Sequence, residues 1–200
     1  MELVIASSNC TKIRELREIL EELFPDLRIR SLLDFPDFQG LEEMKESFEE
    51  NAVAKAVWAS EQLNRPAIAD ESGLVIPYLG NEEISLERKK GLDKSKKLPD
   101  TKSILKELQG TDENNRVAFL ECILAFAVPD KGLIRSCSAR IEGYIAEEEK
   151  GPASFDFSSI FIKYDYSKRL AELPDLVLTR ISHRRKACEK LCPSIKEYFS

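Results

Sequence analysis

Leu3-Val4-Ile5-Ala6-Ser7-Ser8-Asn9-Cys10-Thr11-Lys12-Ile13 decides the fold class. The four leading apolar residues read as a buried strand and the polar residues after them as a short turn. Ile13, Leu16, Leu20 and Leu23 then recur at helical intervals along one face. Working outward, Leu27 to Leu32 alternates apolar and basic residues as a half-buried strand does, before a loop punctuated by Pro36 and Gly40. Ser47-Phe48-Glu49-Glu50 has the spacing of a capping box, and Phe48, Ala52, Ala56, Ala59 and Leu63 follow on one helical face that Pro66 brings to an end. Asp70-Glu71-Ser72-Gly73 lies between the apolar runs Ala67-Ile68-Ala69 and Leu74-Val75-Ile76, so it reads as a tight turn between two strands.

Farther along, residues 81–115 are dense in Lys and Glu and read as a surface excursion, with a short helix over Thr101 to Leu108. Arg116 to Val128 is the longest apolar run. Pro129-Asp130-Lys131-Gly132 turns it into a second extended stretch from Leu133 to Ile145, a hairpin. Ser159 to Lys163 reads as a further strand and Ser182 to Leu191 as a helix stopped near Pro193. Helices and strands that alternate early and are followed by a long hairpin predict an α/β fold, a mixed sheet flanked by helices, in a single domain over residues 1–200.

With 42% hydrophobic and 33% charged residues in 200, the chain can bury one sizeable core without staples. Five cysteines form no CxxC pair, which points to free thiols in a reducing cytoplasm. The N-terminus has no basic segment leading into a long apolar one, so neither export nor membrane insertion is expected. The net charge of −6 argues against nucleic acid as a partner and favours a small ligand.

Three stretches carry candidate chemistry. Two adjacent carboxylates, Asp70 and Glu71, repel one another, and a hard cation such as Mg²⁺ would offset that repulsion; a solvated acidic turn is the plainer alternative. At the first turn, helix-start N–H groups with Asn9 and Lys12 suit a phosphate, although Asn9 or Thr11 serves equally as a helix cap. Asn51 and Lys55 share one face of the second helix. Near the C-terminus, Ser182-His183-Arg184-Arg185 sets the lone histidine beside two guanidinium groups able to hold planar partners such as phosphate or a base edge, or else forms a solvated basic turn. No GxSxG elbow and no P-loop is present.

Taken in order, Ser7-x-Asn9-x-x-Lys12, Ser47-Phe48-x-Glu50-Asn51-Ala52-x-x-Lys55-Ala56, Pro66-Ala67-Ile68-Ala69-Asp70-Glu71-Ser72-Gly73-Leu74, Ala171-Glu172-Leu173 and Ile181-Ser182-His183-Arg184 resemble the inosine triphosphate pyrophosphatase family, over nearly the whole chain. The resemblance implies an elongated mixed β-sheet with two lobes and a central cleft, a cytoplasmic homodimer, and Mg²⁺-dependent hydrolysis of non-canonical purine nucleoside triphosphates (dITP, ITP, XTP) to monophosphate and pyrophosphate. Ser7, Ser8, Asn9, Lys12, Lys55 and Ser72 would then hold the triphosphate, Glu43, Asp70 and Glu71 the metal, and Asp70 and Glu71 the chemistry, with Glu71 as proton acceptor. Phe155 would stack on the base, and Asp156, Phe157, Ser158, Leu178, His183 and Arg184 would complete the substrate-binding set. The family's Gly-Phe-Gly-Tyr-Asp-Pro stretch is here Ser154-Phe155-Asp156-Phe157-Ser158-Ser159, and its lysine before Ser-His-Arg falls on Leu178. These departures leave an alternative, a non-catalytic or altered-specificity nucleotide-binding protein of the same fold.

Overall fold

The computed structural model describes residues 1–41, 47–80, 83–84 (backbone), 100–152 and 157–200. Its strands are β1 (Glu2–Ile5), β2 (Arg28–Ser31), β3 (Ala67–Val75), β4 (Glu83–Ile84), β5 (Val117–Val128), β6 (Gly132–Ile145) and β7 (Phe161–Lys163). The helices are α1 (Cys10–Leu23), α2 (Phe48–Leu63), α3 (Thr101–Glu107), α4 (Asp175–Ile181) and α5 (His183–Phe199). The sheet runs β2-β1-β3-β5-β6-β7, with β4 on β3. β1 pairs in parallel with β2 and β3, whereas β3–β4 and β6–β7 are antiparallel, so the sheet is mixed as the sequence predicts.

Two compact units partition the chain. The first comprises Met1–Glu71, Cys122–Ala139 and His183–Ser200. Its strands have apolar side chains on both faces, because they alternate and a layer covers each side. Leu3, Ile5, Ile68, Cys122, Leu124 and Phe126 pack with Leu16, Leu20, Leu191 and Ile195 of α1 and α5. Val4, Ala67, Ala69, Ile123, Ala125 and Ala127 pack with Phe48, Ala52, Ala56 and Ala59 of α2, whose small residues let helix and sheet approach closely. The capping box is present: Glu50 N–H donates to Ser47 Oγ (3.1 Å), and Ser47 N–H donates to Glu50 Oε2 (3.3 Å).

The second unit comprises Ser72–Glu121 and Arg140–Ser182, with a core of Leu74, Ile76, Ile104, Leu108, Leu120, Ile141, Phe157 and Phe161. Arg116 is buried there, and its guanidinium donates to the carbonyls of Ile145, Leu108 and Ala146. Gly143 faces β7, where a Cβ would come within 2.1 Å of the Ile162 carbonyl oxygen.

Two readings of the sequence are corrected. Asp70-Glu71-Ser72-Gly73 is not a turn but the interior of the continuous strand β3. The helix at the C-terminus does not stop near Pro193; α5 runs through it to Phe199. Proline removes one helical hydrogen bond at about 3 kcal/mol. Full burial of Leu191 and Ile195, each about 1.5–3 kcal/mol, and an edge-on contact between Tyr198 and Phe126 offset that loss. Helix α4 goes unpredicted: it is only seven residues long and none is fully buried, so Val177, Leu178 and Ile181 mark too short an apolar face to read. Within the predicted surface excursion, residues 81–82 and 85–99 lie outside the described residues, and Glu83–Ile84 adds a short strand to β3.

Candidate active site

Asn9 caps α1: its Oδ1 accepts from the N–H groups of Thr11 (2.9 Å) and Lys12 (3.3 Å), and its own N–H donates to Ser7 Oγ (3.1 Å). The amides expected to face a phosphate are therefore engaged by the turn itself. What the turn contributes outward is the half-buried Ser7 and the exposed Ser8.

Lys12, the third residue of the helix, is 2% exposed and points at β3. Its Nζ lies 3.5 Å from Asp70 Oδ2 and donates to the Asp70 carbonyl at 3.4 Å. From α5, Arg184 Nε donates to the same Asp70 oxygen at 2.8 Å and Nη1 to Glu15 Oε2 at 2.9 Å. The Cys122 thiol donates to Asp70 Oδ1 at 3.3 Å. Burial pulls the Arg184 guanidinium down, but the carboxylates of Asp70 and Glu15 more than offset it and hold the group well above its ordinary value. Arg185 pairs with Glu22 through both terminal nitrogens. The two arginines thus grip carboxylates of this chain.

Glu71 turns the other way. Successive strand side chains point to opposite faces, and Glu71 meets Lys55 of α2 in a direct ion pair. Burial raises its carboxyl above the ordinary range despite Lys55 and Lys12 nearby. The paired carboxylates expected to clasp one ion are therefore divided: Asp70 draws its partners from α1, α5 and β5, Glu71 from α2. Among the described residues, no three His, Cys, Asp or Glu side chains converge to hold a metal. Glu71 fits a hard cation best, being an oxygen donor that already holds one, whereas Asp70 is committed to Arg184 and Lys12.

His183 is 4% exposed, and burial, then Arg184, lower its pKa to about 4. Its imidazole is neutral at pH 7, with one donor and one acceptor nitrogen. An unfolded histidine titrates near 6.5, so between these values the unfolded chain binds more protons and stability falls as pH drops. Denaturant unfolding from pH 7 to pH 4 should cost the wild type about 3 kcal/mol more than His183→Gln. Parallel pH profiles for the two proteins would contradict this.

Of the other predicted positions, Ser72 is buried in β3 beside Glu71. Phe157, Ser158 and Leu178 belong to the second unit. Phe157 is 2% exposed within the apolar core and Leu178 packs against it, so neither offers the open face expected for a base. Ser158 is fully buried, and its carbonyl accepts from Ala171 N–H. Glu43, Phe155 and Asp156 lie outside the described residues. Sequence reasoning missed Glu15 and Cys122. Glu15 stands one helical turn beyond Lys12, which is a usable signal, whereas the thiol of Cys122 gave none.

A mixed α/β sheet with a capped strand–turn–helix opening, in which two neighbouring strand acids are each answered by a helix-borne lysine, defines the class as α/β. The chain belongs to the Ham1 family, whose model matches residues 3–194. It is 41% identical over 192 residues to a dITP/XTP pyrophosphatase of Protochlamydia amoebophila, covering 96% of each chain. It is 36% identical over 202 residues to one of Chlamydia abortus, covering 98% of this chain and 95% of the relative. A solved HAM1 protein from Coxiella burnetii superposes with a TM-score of 0.80 at 31% identity, covering 98% of this chain and 99% of that one. No helix among the described residues is long and apolar enough to cross a membrane.

Proposed function

We propose that this chain hydrolyses non-canonical purine nucleoside triphosphates, dITP and XTP foremost, to the monophosphate and pyrophosphate. The observation that carries the reading is Glu71: a carboxyl buried on the α2 face, raised by that burial, in contact with a partly exposed lysine. A base near neutral pH is best drawn from such a group. Full-length relatives named dITP/XTP pyrophosphatase supply the substrate class.

In this reading the Glu71 carboxylate orients a water molecule in line with the α-phosphorus and takes its proton. Lys55 and the Ser7–Ser8 turn bind phosphate oxygens, and Lys12 adds positive field from the head of α1. Asp70 fixes Lys12 and Arg184 in place. The His183 ring, buried and neutral, offers no charge to a phosphate. Mg²⁺ would be held by Glu71, together with Glu43, and would neutralise phosphate charge. A homodimer in the cytoplasm completes the reading: the family resemblance supports the first, and free thiols at all five cysteines suit a reducing compartment.

Pyrophosphate release from dITP, XTP, ITP, dATP and dGTP, measured with Mg²⁺, tests this. The inosine and xanthosine substrates should lead by about tenfold or more in kcat/KM. Rates indistinguishable from buffer across the panel would overturn it, and tight dITP binding without release would select the non-catalytic alternative.

A further inference from the structure

We propose that Lys55 is a resident counter-ion on Glu71 that a divalent cation must displace, so that metal entry and polyphosphate capture are coupled through one ion pair. The inference rests on the reading of Glu71 as a metal ligand and adds an order of events to it. Each of the two strand acids already holds cations, but these differ in how they are held. Arg184 is 2% exposed and tied to Asp70 and Glu15 at once, and Lys12 is equally buried with its ammonium against the Asp70 carbonyl as well as its carboxylate. Lys55 has 28% of its side chain exposed and reaches Glu71 along a flexible four-carbon stem.

A divalent ion arriving at the Glu71 carboxylate repels the ammonium already there, and Lys55 is the partner built to leave. Once released, its three N–H donors sit beside the acid with no carboxylate to hold them, which is the state a triphosphate oxygen needs. By linkage, whatever favours the released state for one ligand favours it equally for the other. Lys55 therefore holds metal affinity down until a polyphosphate gives its ammonium another place to go.

Titration with Mn²⁺ alone, followed by calorimetry, reads the first half. Lys55→Met and, as a second variant, Lys55→Gln should bind Mn²⁺ about tenfold more tightly than the wild type, the loss of one competing partner. Unchanged or weaker affinity in both variants, or no Mn²⁺ binding by any of the three proteins, overturns the proposal. The second half uses inorganic tripolyphosphate in chelator. Glu71→Gln should tighten its binding severalfold in the Lys55 background and not in Lys55→Met; an equal effect in both backgrounds would mean simple charge removal, and would also overturn it. Neither readout involves turnover. A chain that shows both effects but leaves dITP intact refutes the proposed activity and keeps the exchange, and an active enzyme with unaltered Mn²⁺ affinity does the reverse.

Discussion

Arg184→Ala should cost about 3–5 kcal/mol of folding stability, a third or more of what a domain of ordinary stability possesses. The substitution removes a contact of 2.8 Å from a carboxylate whose side chain is wholly inaccessible, and it also takes a partner from Glu15. The carboxylate cannot move to water without dislodging β3. Lys12 at 3.5 Å remains, but its four-carbon stem supplies a point charge where the guanidinium supplies directed bonds to two acids at once. Denaturant unfolding measures the loss. A double variant, Arg184→Met with Asp70→Asn, should recover a good part of it, because most of the cost is the charge left behind. A loss for Arg184→Ala below about 1 kcal/mol would show that the network contributes little.

Glu71→Gln should lower kcat for dITP by about 10²–10⁴-fold, the usual range for removing a positioned base. The amide keeps nearly the shape of the carboxyl but can neither take a proton nor carry the charge. Because burial already disfavours the ionised form, the same variant should unfold at a denaturant midpoint equal to or above that of the wild type. This opposition between lost turnover and kept stability sets Glu71 apart from Asp70, where Asp70→Asn should weaken the fold first. Pyrophosphate release and unfolding measured on one preparation decide it, and a kcat within about threefold of wild type would remove Glu71 from the chemistry.

The parts of this fold that a reader can find in the sequence are those fixed by near neighbours. The Ser47–Glu50 box, the Asn9 cap, the apolar faces of α1 and α2 and the β5–β6 pair each depend on spacings of a few residues, and each is present. Asp70-Glu71-Ser72-Gly73 misleads because every one of its residues suits a turn, and local preference is overridden when helices close both faces of the strand and bring cations to its acids. The arginine partners could not be assigned in advance: Arg184 is 114 positions from Asp70 on β3, and Arg185 is 163 from Glu22 on α1. The motif Ser-His-Arg does not announce that Arg184 holds Asp70 and Glu15, since a guanidinium prepared for a phosphate and one holding a buried carboxylate look alike in sequence. Helix α5 passes Pro193 for a similar reason, the buried residues beyond it lying outside any local rule.

The opposite facing of Asp70 and Glu71 makes the site a matter of parity. β1 and β3 are locked at Ile5 opposite Ile68, two residues before Asp70. One residue inserted between that lock and the acids would turn Asp70 toward Lys55, and one deleted would turn Glu71 toward Arg184, while leaving the composition of the site almost untouched. Odd-numbered length changes in this segment therefore act as a switch in wiring, whereas a two-residue change keeps each acid on its own face but slides it about 6.6 Å along the strand, away from its partner.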